Sequence, residues 1–207
     1  MTNRIELYSW ATPNGRKVSI MLEELGLPYD VHPVNLSTRA QRDPAHLALN
    51  PAGKIPVLVD PDGPAGTPVT LSESTAILIY LAEKTGRFLP TGGAPRYETM
   101  QWLMFQTAGI GPICGQGQVF GRFLPELNAG AVAHFGAEAA RLYDVLDARL
   151  ATHEHLAGNY SIADIATWPW VARHDWYGVS LSDYPNVVAW FDRIGARPAV
   201  QRGALVP

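Results

Sequence analysis

The chain has 207 residues, 47% of them hydrophobic and 17% charged, which excludes intrinsic disorder and suits one large domain or two small ones. A formal net charge of −3, with no basic or acidic run, removes any electrostatic case for binding nucleic acid. A single cysteine, Cys114, excludes an internal disulfide framework and fits a reducing compartment. No apolar run approaches the roughly 20 residues that span a bilayer. Met1-Thr2-Asn3-Arg4 leads into the first strand without a secretory apolar segment. The expectation is a soluble cytoplasmic protein with neither nucleic acid nor membrane as partner.

The apolar run Ile5 to Tyr8 reads as a short buried strand. Thr12-Pro13-Asn14-Gly15 then stops the extended pattern and opens a helix with Val18, Met21, Leu22 and Leu25 on its apolar side. Thr or Asn suits the cap of that helix, and Pro13 an early position where its missing N–H leaves nothing unsatisfied. A strand entering a helix through such a turn aims unpaired N–H groups and the positive end of the helix dipole at one spot. That spot suits an anion, a thiolate included. Gly26-Leu27-Pro28 ends the helix, and Tyr29 to Val34 reads as a second strand, parallel to the first. Pro44, Asn50, Pro51 and Gly53 mark an irregular region with room for a short helix.

Lys54 to Asp60 is a compact strand with Pro56 near its start, and X–Pro is the one bond where a cis peptide is accessible. Asp62-Gly63 turns the chain toward Val69-Thr70-Leu71 as an antiparallel hairpin. Ser72-Glu73-Ser74 caps a helix carrying Ala76, Ile77, Ile79, Tyr80 and Leu81 and ending at Thr85-Gly86. Residues 1–87 therefore read as an α/β domain, β-α-β-(α)-β-β-α, with a mixed four-stranded sheet. Residues 88–94 read as a linker and 95–207 as an all-helical domain. Helical periodicity runs from Tyr97 to Gly109 and from Gly136 to Leu150. Between them Gly111, Pro112, Gly115, Gly117 and Gly121 read as a kinked helix or a loop, since each helical glycine costs about 1 kcal/mol. Ser161 caps a further helix, with Asp164 closing a capping box and Pro169 bending it. Pro185 opens a last helix, stopped by Pro198.

Four stretches in this order resemble the glutathione transferases. They are Thr12-Pro13-Asn14-Gly15, Lys54-Ile55-Pro56, Leu71-Ser72-Glu73-Ser74-Thr75-Ala76-Ile77 and Asn159-Tyr160-Ser161-Ile162-Ala163-Asp164-Ile165. The resemblance covers essentially the whole chain. Tyr8 followed by Thr12 to Lys17, and Gln101-Trp102-Leu103 through Gly111-Pro112 and Gly115-Gln116, are most similar to the bacterial nu class. That resemblance implies a thioredoxin-like N-terminal domain, an all-α C-terminal domain and a homodimer. It implies glutathione as co-substrate, without metal or nucleotide, and glutathione-dependent reduction of disulfide bonds. Peroxide reduction and weak conjugation to a small electrophile are neighbouring activities. A binding protein without turnover, and a glutathione-dependent etherase or dehalogenase, remain open alternatives.

The resemblance also assigns roles. The Ile55–Pro56 bond is expected to be cis, with Ile55 pairing to the cysteinyl backbone of glutathione as an added strand would. Glu73 and Ser74 are expected to hold the γ-glutamyl group, Ser74 and helix N–H groups taking its carboxylate and Glu73 its ammonium. Lys54 or Asn14 meets the remaining polar atoms. Thr12 and Asn14 are the expected catalytic pair, keeping the glutathione thiol ionised, with Ser9 and then Tyr8 as rivals. The turn carries no cysteine, so any disulfide chemistry must use the sulfur of glutathione. Where the nu class places an arginine that binds a second glutathione across the dimer, this chain has His134, which leaves open whether two glutathiones or their disulfide bind. Trp10, Phe105, Phe120, Trp176 and Tyr177 are candidates for the electrophile pocket. Cys114 reads as a small buried hydrophobe. His153-Glu154-His155 lacks the spacing of a helical metal pair, and Gly115-Gln116-Gly117 follows no strand, so neither supports a metal or a dinucleotide.

Overall fold

A computed structural model describes residues 4–207, so the reading of Met1-Thr2-Asn3 lies outside the described residues. The chain divides into two compact units. One comprises residues up to Arg87 together with Arg197–Pro207, the other Phe88–Ala196.

In the first unit β1 (Ile5–Ser9) feeds α1 (Pro13–Leu25), which returns to β2 (Tyr29–Pro33), parallel to β1. A short helix, α2 (Pro44–Leu49), precedes β3 (Val57–Asp60). β3 runs antiparallel to β1 and to β4 (Val69–Ser72), and α3 (Ser74–Thr85) follows. The sheet order is β2-β1-β3-β4, the mixed four-stranded sheet expected. Alternation along β1 buries Ile5, Leu7 and Ser9 on one face and leaves Glu6 and Tyr8 half-buried on the other. Leu7, Val18, Met21, Leu22, Leu58, Ile77, Leu78 and Leu81 form the dry core. Gly26 and Gly86 end α1 and α3 in the left-handed conformation that lacks penalty only for glycine.

The second unit opens with α4 (Gly93–Met104), which continues through a π-helical turn (105–110) into α5 (Gly111–Gln118) and a second π-helical turn (119–123). The glycine-rich stretch is thus helical rather than a loop. A Cβ on Gly115 would lie 3.5 Å from the Trp170 ring, and one on Gly117 only 2.8 Å from Cβ of Tyr177. The glycines let α5 lie directly on aromatic side chains, and that packing offsets their helical cost. α6 (Ala129–Leu150) begins seven residues before its periodicity declares itself, at the Asn128 cap. α7 (Ile162–Val171) starts with the expected capping box of Ser161 and Asp164. Asp164 is fully buried and accepts from the N–H groups of Leu156 and Ser161 and from Trp190 Nε1, at 2.9–3.0 Å. α8 (Pro185–Gly195) is capped from outside by Asp147, which accepts from the N–H groups of Asn186 and Val187.

One expectation is corrected. Pro198 does not end the helical part of the chain but opens a further helix, α9 (Pro198–Leu205), and residues 197–207 group with the first unit instead of with 95–196. The reason is the fit of α9 to α1. Ser19 Oγ donates to the Gly203 carbonyl at 2.7 Å, Arg197 forms a two-pronged pair with Glu24, and Arg202 pairs with Glu23 at 2.6 Å. Gly203 sits so near the backbone of Ile20 that a Cβ there would lie 2.5 Å from its Cα. The linker reading also shifts. Phe88 already belongs to the second unit, where its carbonyl accepts from the Ile162 N–H and its ring meets Tyr160 edge-on, and α4 begins within the expected linker at Gly93.

Candidate active site

Three chain segments end at one edge of the sheet. Tyr8 pairs with Val57, and Val57 with Ser72, so the end of β1, the start of β3 and the end of β4 form one row. The turn after β1, the Ile55–Pro56 bond before β3 and Glu73-Ser74 after β4 therefore lie along that edge. Thr12, Asn14, Lys54, Ile55, Glu73 and Ser74 all belong to these segments.

Thr12 caps α1. Its Oγ1 accepts the Gly15 N–H at 3.1 Å, and Pro13 occupies the first helical position. The oxygen that accepts this bond keeps its own hydrogen, which remains available as a donor. Gly15 is required for this turn, because a Cβ would collide with Ser9 Oγ and the Trp10 carbonyl. The Thr12 N–H closes the turn onto that carbonyl at 2.6 Å. Asn14 is half-buried on the same turn. The rivals stand elsewhere. Ser9 is wholly buried, with its hydroxyl 3.5 Å from the Trp10 carbonyl. Tyr8 donates to Glu6 Oε2 at 3.0 Å and stacks on His32, and burial with that carboxylate raises its pKa.

The Ile55–Pro56 bond is cis, as expected. The loop before it is held by the Lys54 carbonyl, which accepts from His46 Nε2 and Asn50 Nδ2, both at 2.9 Å. His46 therefore carries its proton on Nε2, since a carbonyl only accepts. The Lys54 side chain itself is exposed.

At the third segment the structure departs from the capping pattern read in Ser72-Glu73-Ser74. Glu73 occupies the cap position with φ 69° and makes no side-chain cap bond, and Ser74 is the first helical residue of α3. A non-glycine residue at positive φ costs about 1–3 kcal/mol and is typically kept where function needs it. Ser74 is buried, and its Oγ accepts from Nζ of Lys17 at 3.4 Å. Lys17 is 2% exposed. Burial pushes its pKa down to about 7 against the opposing pull of the Glu73 carboxylate. In sequence the only sign of Lys17 is its spacing from Met21, which puts a charge on the apolar side of α1.

In the second unit His134 is exposed on α6 with its ring edge against Phe135. Phe120 stacks on Phe135 and lines a cavity of about 560 Å³ with Leu124, Pro125, Leu127 and Asn128. The Trp176 ring carries the guanidinium groups of Arg122 and Arg173, at 4.6 and 4.2 Å from its centroid. Tyr177 is a core residue, bonded to Tyr143 and to the Trp170 carbonyl. Cys114 is wholly buried, and burial pushes its thiol up to about 12.

Comparison with known proteins follows the same division. Residues 11–84 match the family model for the glutathione S-transferase N-terminal domain, and residues 131–198 that for the C-terminal domain. The chain is 44% identical to the disulfide-bond oxidoreductase YfcG of Escherichia coli, covering 97% of this chain and 94% of the relative. It is 42% identical to the disulfide-bond oxidoreductase YghU of the same organism, over 98% of this chain and 74% of the relative. Among solved structures it is similar to a glutathione transferase of Burkholderia graminis with two glutathione molecules bound per subunit. That match has 48% identity and a TM-score of 0.94, over 99% of this chain and 89% of the other. A glutathione transferase of Pseudomonas putida with one glutathione disulfide bound per subunit matches at 43% identity and a TM-score of 0.93, over 99% and 92%.

Proposed function

The chain belongs to the glutathione transferase family, and on that premise we propose that it is a nu-like, glutathione-dependent disulfide-bond oxidoreductase. Glutathione is its co-substrate. The bound thiolate attacks one sulfur of a disulfide, forming a mixed disulfide and releasing the other half as a thiol. A second glutathione thiolate then attacks the glutathione sulfur of the mixed disulfide, expels the remaining half of the substrate as a thiol and leaves as glutathione disulfide, so that two glutathiones are oxidised as one disulfide is reduced.

One observation carries this reading. The sole cysteine, Cys114, is buried with its thiol pushed up to about 12, and the turn ahead of α1 offers a hydroxyl donor in place of a thiol. The nucleophile is therefore the sulfur of glutathione, and the task of the protein is to ionise it. A free thiol near pKa 8.5 is only a few per cent ionised at neutral pH, and lowering that by about two units takes about 2.7 kcal/mol of selective stabilisation. The Thr12 hydroxyl, the Asn14 amide and the N-terminus of α1 together supply that amount. Ile55 pairs with the cysteinyl backbone, and Glu73 with Ser74 takes the γ-glutamyl end. Lys54 or Asn14 meets the remaining polar atoms, and His134 is the candidate contact for a second glutathione. The protein works as a cytoplasmic homodimer, with weak conjugation and peroxide reduction as side activities.

The test is glutathione-dependent reduction of a small hydroxyalkyl disulfide beside conjugation of an aromatic halide. Disulfide turnover is expected to dominate, and Thr12→Ala and Asn14→Ala each to lower it by about tenfold or more at nearly constant glutathione affinity. Full activity in both variants would remove the site assignment. Glutathione binding without turnover of either substrate would replace the enzyme with a binding protein.

A further inference from the structure

Resting on the glutathione reading above, we infer that Lys17 is a positioning residue for the γ-glutamyl carboxylate: its ammonium donates to Ser74 from behind, turns the Ser74 hydroxyl hydrogen toward the ligand, and provides the counter-charge for the carboxylate bound there. An ammonium has three donors and no acceptor, so the 3.4 Å contact fixes Ser74 Oγ as acceptor. The Ser74 hydrogen is then free to serve an anion at the first turn of α3. Thr12 stands in the same relation to the Gly15 N–H at the other end of the site. In each case a donor from the protein occupies the oxygen and leaves the hydroxyl hydrogen available to the ligand.

Glu73 and Ser74 bring both an opposing charge and an acceptor to the Lys17 ammonium. Of the elements packed on α1, α3 brings Ser74 and the preceding Glu73, whose carboxylate favours the charged form. The cations of the α9 segment, Arg197 and Arg202, are engaged at Glu24 and Glu23 toward the opposite end of α1. Arg16 is the neighbour along α1 itself. Burial, opposed by the Glu73 carboxylate, holds the lysine pKa down at about 7, so in the ligand-free protein its charge is lost just above neutrality. A carboxylate arriving at Ser74 restores that charge, and the two events are linked: ligand binding takes up a proton, and affinity falls as pH rises.

The ligand for the test is S-methylglutathione, whose blocked sulfur cannot titrate, so that thiolate formation does not contribute. Its affinity for the native protein, measured by calorimetry, is expected to fall about tenfold between about pH 6.5 and about pH 8.5, with net proton uptake on binding. Lys17→Met should bind more weakly at the lower pH and lose the slope. A flat profile for the native protein, or the same slope in Lys17→Met, would overturn the role of Lys17 while leaving glutathione binding intact. No binding at any pH would remove the glutathione reading itself, and this inference with it.

Discussion

Lys17 illustrates a residue whose value to the site opposes its value to the fold. Its pKa in the folded protein is about 7 against an ordinary 10.5, so between those values the unfolded chain binds the extra proton. Stability is therefore reduced at and below neutrality and recovers as pH climbs from about 7 to about 10.5. Lys17→Met, which keeps the length and removes the buried charge, is expected to raise the melting temperature at neutral pH, with the gain vanishing toward about pH 10.5. A lower melting temperature at neutral pH would show that the contacts to Ser74 and Glu73 outweigh desolvation. Gly15 makes the converse case, where function and fold agree. A Cβ there meets Ser9 Oγ and the Trp10 carbonyl, and the carbonyl cannot yield without moving the Thr12 turn. Gly15→Ala should cost about 1–3 kcal/mol in chemical denaturation and lower disulfide turnover together. Unchanged stability and turnover would show that the turn relaxes freely.

Among the elements, α9 and α5 mark where sequence patterning stops being legible. The ends of α1 were readable because Thr12, Pro13 and Gly26 are local signals that act within one turn. The capping box of α7 was readable for the same reason. α9 has only eight residues and carries a glycine, so its stability comes from α1 rather than from its own pattern, and Pro198, which in sequence reads as a stop, takes the first helical position. In α5 the glycines leave a kinked helix and a loop equally open in sequence, yet they are the condition for its approach to Trp170 and Tyr177. Long-range packing decided both cases, and no window of a single helix contains it. Gly203→Val should accordingly separate α9 from Ile20 and lower stability by about 1–3 kcal/mol, measured as a shift in urea midpoint; an unshifted midpoint would mean α9 contributes little. Asp164 is the equivalent point for α7, since Asn in its place leaves buried donors on Leu156, Ser161 or Trp190 without an acceptor. Asp164→Asn is expected to cost about 2–4 kcal/mol, and a loss under 1 kcal/mol would contradict that account.

For the molecule as a whole, the candidate site was legible because the residues of the sheet edge come with local markers that are weak singly and strong in this order: a Pro-Asn-Gly turn, an Ile-Pro bond and a Glu-Ser pair at a helix start. Lys17 escaped because its partner Ser74 is 57 residues away, and only folding brings α1 and α3 together. The same holds for the positive φ of Glu73, which no residue type announces. The second unit was legible as helices but not as chemistry, because its aromatic residues divide between core, as Tyr177, and cavity lining, as Phe120, by contacts formed at long range. Ionisation of bound glutathione by the Thr12 turn is read most directly from the ultraviolet absorbance of the thiolate, followed against pH in the complex. Its midpoint is expected about two units below the free thiol value of about 8.5, moving back upward in Thr12→Ala. A midpoint equal to that of free glutathione, or one that Thr12→Ala leaves unmoved, would contradict it.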